Sequence, residues 1–210
     1  LFSRCTFINI NTNGRASVVS LLYIKQIHIL FSSNFNISDS MENGKTNICF
    51  VLIKTFYHLV IQKCIFSSIK GQAIRASYGE QILVANSIVK ESTVKKSGLL
   101  SISHCEFITT FNTIFKHNIA NSGGLHISNS TKIINKNITF SNNEGESGGG
   151  LYIKNCGYVE TVNSTFKYNK VIFSGNGAFL WNCSHVVTKN STFAHNQGMH
   201  GAGLSIYYCK

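Results

Sequence analysis

Phe140-Ser141-Asn142-Asn143, followed a few residues later by Gly149-Gly150-Leu151-Tyr152-Ile153, decides the fold, because the same unit is written again and again. Its Phe-x-x-Asn half recurs as Phe115-Lys116-His117-Asn118, Phe166-Lys167-Tyr168-Asn169 and Phe193-Ala194-His195-Asn196. The Gly-rich half recurs as Gly123-Gly124-Leu125-His126-Ile127, Gly177-Ala178-Phe179-Leu180 and Gly203-Leu204-Ser205-Ile206. The phenylalanines at 115, 140, 166 and 193 stand 25, 26 and 27 residues apart. A period in the twenties with strand-like alternation inside each unit predicts a solenoid in which one repeat is one turn.

No helix-length apolar period separates one unit from the next, so the usual helical crossover is missing. In Leu151-Tyr152-Ile153-Lys154 the apolar residues point to one face and their neighbours to the other. Leu125 and Ile127, Ala178 and Leu180, and Leu204 and Ile206 repeat the arrangement. Stacked in register about 4.8 Å apart, these segments make a parallel sheet with an apolar inner column. The fold class is therefore all-β, a parallel β-helix of roughly eight coils of about 26 residues. Phe115, Phe140, Phe166 and Phe193 stack inside it. Asn118, Asn143, Asn169 and Asn196 line one corner, where an amide can bond the coils above and below and tolerate left-handed backbone. The glycines serve the same corner geometry.

Phe-x-x-Asn alternating with Gly-rich tetrads resembles the repeat of the polymorphic outer membrane proteins. That resemblance, carried by residues 115 to 210, implies a right-handed β-helix of the pectin-lyase-like class and a secreted or surface-displayed protein.

Working back towards the start, the rhythm loosens. Cys5-Thr6-Phe7, Ser33-Asn34-Phe35 and Cys64-Ile65-Phe66 resemble the later aromatic landmarks, and Ile88 is taken as the missing aromatic of the next coil. Residues 1–97 are read as irregular coils and 98–210 as regular repeats of a single domain, with a protruding loop around Asp39 to Lys45. The chain opens on Leu1 and stops mid-repeat at Tyr208-Cys209-Lys210, which reads as a fragment of a longer protein. No apolar run of helix-spanning length occurs, so membrane association is expected only through regions outside this segment.

With 19 Lys and Arg against 8 Asp and Glu the formal charge is +11, but the lysines are scattered and no nucleic-acid motif is present. Nucleic acid is not an expected partner. Catalysis needs converging groups, and the single Asp39, the dispersed glutamates and the unpaired histidines do not converge. No enzyme activity, cofactor or metal is expected: CxxC is absent, and Gly148-Gly149-Gly150 lacks the Lys-Ser/Thr and helix of a phosphate loop. The alternative is a polysaccharide-active lyase-like or hydrolase-like β-helix whose catalytic residues lie outside this segment.

Three sets of residues carry the remaining expectations. Cys156, Cys183 and Cys209 fall on consecutive coils, close enough for a Cys156–Cys183 or Cys183–Cys209 bridge, or else form a column of small buried thiols equivalent to Ser130. Asn36, Asn129, Asn137, Asn163, Asn182 and Asn190 head Asn-x-Ser/Thr sequons, the mark of a glycosylated secretory protein. Yet Asn137, Asn163 and Asn190 share a column too tight for three glycans, so it reads equally as an Asn ladder made by the repeat. Finally Tyr152, Lys154, Phe179, Trp181 and Tyr207 face outward on successive coils, an aromatic strip beside a cation that suits glycan chains or a surface protein partner. The expected role is a non-enzymatic extracellular or cell-surface scaffold for adhesion or display.

Overall fold

A computed structural model describes residues 2–3, 17–30, 34–36, 49–95, 97–175 and 177–210, with side chains described from Val51 onward. The expected loop around Asp39 to Lys45 and the landmark at Phe7 lie outside these residues. The chain winds as a parallel β-solenoid with no helix among the described residues, its strands paired in register coil to coil. The described residues make about six coils, fewer than the eight expected.

Each coil has a long face, a Phe face and a short face. On the long face Leu100, Leu125, Leu151, Ala178 and Leu204 pair in register. In earlier coils this face is one strand that bends, as in Cys49–Gln62 and Gln72–Ala85. In later coils it divides into two, such as Leu151–Lys154 and Tyr158–Val162. The Phe face carries Thr139–Ser141 and its equivalents; the short face carries Glu144–Ser147 and its equivalents. The coil of residues 72–85 holds the same pairing as those after residue 97, since Ile74 and Ile82 align with Leu100 and Ile108.

The corners explain why these strands turn without proline or long loops. At three corners of each coil one non-glycine residue adopts left-handed backbone. One column is Thr55, Tyr78, His104, Asn129, Asn155, Asn182 and Tyr208, with φ between 50° and 60°. The second runs from Lys63 through Asn86, Asn112, Asn137 and Asn163 to Asn190, and the third from Ser68 through His117 and Asn142 to His195. Asn is the non-glycine residue that adopts this region most readily. The residue after each turns inward and is usually small and polar. Ser130 is typical: its hydroxyl donates to Ser128 O at 3.0 Å, and its oxygen accepts the Cys105 N–H at 3.2 Å from the coil before. Ser164 does the same with Val162 O and the Ile138 N–H.

At the third corner the inward residue is Asn118, Asn143, Asn169 or Asn196, as expected. Asn143 Nδ2 donates to Phe115 O at 3.0 Å on the coil before and to Asn169 Oδ1 at 3.0 Å on the next. Its Oδ1 accepts both the backbone N–H and the side-chain amide of Asn118. All of this lies out of water, where an unmade bond is costly.

Behind the Asn ladder, Phe115, Phe140, Phe166 and Phe193 stack with ring centroids 4.6 to 5.0 Å apart. The stack dictates the glycines opposite. A Cβ on Gly124 would meet Phe115 at 3.1 Å, and one on Gly150 would meet Phe140 at 2.6 Å. These glycines are therefore present to admit the rings; left-handed backbone is met instead at Gly123, one residue before Gly124, and at Gly148, two before Gly150. The residue in register with Phe115 one coil back is Val89, not Ile88. The position equivalent to Gly124 in that coil is Leu99, both being buried. A smaller residue on the Phe face is thus matched by a larger one on the long face, preserving the interior volume. Phe56 and Gly79 repeat the logic at the first corner, where the Phe56 ring fills the place of a Gly79 side chain.

Two outcomes are expected. Gly124→Ala should destabilise the wild-type protein by about 1–3 kcal/mol and much less in a Phe115→Val background, a coupling readable by denaturant titration of the double-mutant cycle. Asn143→Ala, which strips partners from Asn118 and Phe115 O, should cost about 3–5 kcal/mol in the same assay.

Candidate ligand-binding surface

The αL corner at Asn155, Asn182 and Tyr208 ends the first half of the long face, so the short strands before it hold two outward columns. One runs Arg75, Ser101, His126, Tyr152, Phe179, Ser205; the other runs Ser77, Ser103, Ser128, Lys154, Trp181, Tyr207. Neither contains a carboxylate; Arg75 and Lys154 are their permanent cations, joined one coil before Ser77 by the exposed Lys54. Glu80, Glu106 and Glu160 all lie beyond the corner.

The rings of these columns touch. His126 meets Tyr152 edge-on at 4.9 Å, Tyr152 stacks on Phe179 at 5.2 Å, and Phe179 lies 5.7 Å from a tilted Tyr207. Trp181 is 6.0 Å from Tyr207 and 4.8 Å from Tyr208, the latter at 66°. Each coil therefore advances the aromatic row by one ring.

The strip is not uniform in what it offers a ligand. Phe179 is only 8% exposed, held beneath the turn at Gly175 and between its neighbours, so its outward position does not make it an open surface. Tyr152 is half-buried, and the faces of Tyr152 and Phe179 are turned on each other. Open ring area gathers instead at Trp181, Tyr207 and Tyr208, which are 40%, 39% and 77% exposed. Lys154 is half-buried beside Trp181, its partner in register.

Tyr208 and His126 escaped the sequence reading. Tyr208 follows the strand pattern by one residue, and aligning Asn155-Cys156, Asn182-Cys183 and Tyr208-Cys209 would have placed it at the corner. His126 sits in the Tyr152 column. Both its ring nitrogens are buried without a hydrogen-bond partner. Burial, together with the positive charges of Lys154 and Arg75, pushes its pKa down to about 4.

The sequons have a structural explanation. Asn129, Asn137, Asn163, Asn182 and Asn190 are exposed left-handed corner residues. The next residue turns inward, and Thr or Ser follows as the chain leaves the corner, so the corner itself spells Asn-x-Ser/Thr. Asn182 Nδ2 donates to Asn155 Oδ1 and Asn155 Nδ2 to Asn129 Oδ1; Asn137 Nδ2 donates to Asn112 Oδ1. Asn36 belongs to the strand Asn34–Asn36, its side chain outside the description.

Cys156, Cys183 and Cys209 do follow one another at the first corner, and each is a thiol occupying the place of Ser130. Cys156 Sγ donates to Lys154 O at 3.2 Å and Cys183 Sγ to Trp181 O at 3.5 Å. Contact with Cys156, then burial, pushes the Cys183 thiol up; burial, partly offset by backbone hydrogen bonds, takes Cys105 to about 11. Elsewhere, Glu144 and Glu146 project from one short-face strand into a groove with Ile119, Lys170 and Ile172, away from the aromatic strip. Among the described residues no three His, Cys, Asp or Glu side chains gather as metal ligands. No family model, curated protein or solved structure matches this chain.

The depressed His126 pKa gives a pH dependence of known sign. Between about pH 6.5 and pH 4 the unfolded chain binds a proton that the folded protein refuses, so stability falls as pH drops through that window. His126→Phe, which extends the ring row and removes two unpaired nitrogens, should be more stable at pH 7 and should flatten the loss, roughly 2–3 kcal/mol, seen by thermal melts from pH 7 to 4.

Proposed function

We propose that this chain is a secreted or cell-surface β-solenoid scaffold for adhesion or display, binding an extended glycan chain across Trp181, Tyr207 and Tyr208. The observation that carries the reading is the cluster of large, tilted, exposed rings on neighbouring coils, on a face whose outward columns hold no carboxylate. Exposed rings of this kind give a polar, elongated ligand apolar contact and stacking. Lys154 supplies a donor at the edge of the cluster, and Phe179, itself stacked on Tyr152, lies alongside Trp181 with ring centroids 6.2 Å apart.

The repeat supports the same reading. Phe-x-x-Asn alternating with a Gly-rich turn resembles polymorphic outer membrane protein repeats and the wider pectin-lyase-like β-helices, and implies a rigid extracellular spacer. The exposed Asn corners are compatible with a glycosylated surface protein, since they carry sequons at positions open to solvent. In such a scaffold the solenoid sets the position of the ring cluster, and adhesion depends on side chains alone.

The test is binding of the purified protein to a glycan array beside the Trp181→Ala/Tyr207→Ala double variant, with circular dichroism to show that both are folded. The expected result is one class of glycan held by the wild type and weakened at least about tenfold in the variant, or about 1.4 kcal/mol. Equal binding by the two proteins, or none to any glycan, would overturn the reading.

A further inference from the structure

Among the described residues the corner column Cys156, Cys183, Cys209 is the one place where three consecutive coils carry a thiol at the inward position. Cys183 is central. Its backbone N–H donates to Cys209 Sγ at 3.2 Å, and Lys210 N donates back to Cys183 O at 3.2 Å, so the two residues are stacked in register across 26 positions of sequence. Adjacent parallel strands lie about 4.8 Å apart, inside the Cα separation that a disulfide accepts. Cys156 and Cys183 are buried, whereas Cys209 is only partly so.

We propose that Cys183 and Cys209 are a built-in cross-linking site, closed by exchange with a small-molecule disulfide such as oxidised glutathione and stapling two coils beside the ring cluster. Cys209, the accessible thiol, loses its proton to solvent and its sulfur attacks one sulfur of the small disulfide. The S–S bond of the reagent breaks, one reduced thiol leaves, and a mixed disulfide remains on Cys209. Cys183, deprotonated in turn, attacks Cys209 Sγ and expels the second reduced thiol. Two protein thiols are oxidised and one reagent disulfide is reduced to two thiols, so electrons balance.

The backbone around the pair tolerates the change. Closing the bridge removes the Sγ donors from Trp181 O and Tyr207 O. Trp181 O keeps the Asn155 N–H at 2.9 Å and Tyr207 O keeps the Asn182 N–H at 2.9 Å. Neither carbonyl is orphaned. Ser130 fills the same corner two coils away from Cys183 with equivalent bonds, so Cys→Ser variants retain the corner.

The experiment incubates folded protein with oxidised glutathione, quenches by alkylation, and maps peptides by mass spectrometry, with thermal melts alongside. The wild type and Cys156→Ser should lose the mass of two hydrogens, join the Cys183 and Cys209 peptides, and melt higher than their reduced forms. Cys183→Ser should stop at the mixed disulfide on Cys209, and Cys209→Ser should not cross-link. The inference is overturned if the wild type ends only with glutathione adducts, stays reduced, or joins Cys156 to Cys183 instead. Peptide mapping of the wild type decides the matter even if a variant proves unstable.

Discussion

Everything in this solenoid depends on how a strand turns a corner without stranding its backbone groups. A residue at positive φ reverses the chain in one step, and the residue after it turns inward. That inward group reaches back to its own coil and is reached by the coil before it, as Ser130 does for Ser128 and Cys105. Buried N–H and C=O groups must find partners, and here most find them one coil away. The corner therefore couples each coil to its neighbours more tightly than strand pairing alone, as expected of a quasi-one-dimensional fold.

The interior is organised by the same economy of space. Stacked phenylalanines occupy one side of the coils from Phe115 onward, and the opposite side gives way to glycine. Where the ring is replaced by Val89, the glycine is replaced by Leu99. Not every interior position is as well matched: Asn135 is fully buried, yet neither its amide oxygen nor its nitrogen has a partner, and Thr110 Oγ1 beside it is equally unbonded. A column that also holds Ile61, Val84, Thr161 and Thr188 bears this defect at some cost.

The architecture was legible in the sequence because column identity survives from coil to coil: Phe above Phe, Asn above Asn, Leu above Leu. The reading slipped where a column changed its residue type. Val89 was passed over for Ile88 because the Val–Leu exchange is visible only when both sides of the coil are known. The aromatic strip was legible as a register, since alternation fixes which side chains face out. Its usable area was not, because spacing says nothing of ring tilt or of a turn folded over Phe179. The sequons read equally as glycosylation sites and as an Asn ladder made by the repeat, and the left-handed corners account for the recurrence of five of the six; Tyr208 was missed because it lies one residue past the strand.

The pairing of Phe115 with Gly124, and of Val89 with Leu99, lies within single coils. Each coil thus carries its own matching halves and can be duplicated or lost whole without disturbing what its neighbours enclose. A crossover between genes that cut a coil between those halves would set a phenylalanine against Leu99, or a valine against Gly124, leaving a clash or a void. Exchange is tolerated at the corners preceding the Phe face and penalised inside it, so the interior fixes the natural boundary of the inherited unit as well as the shape of the protein.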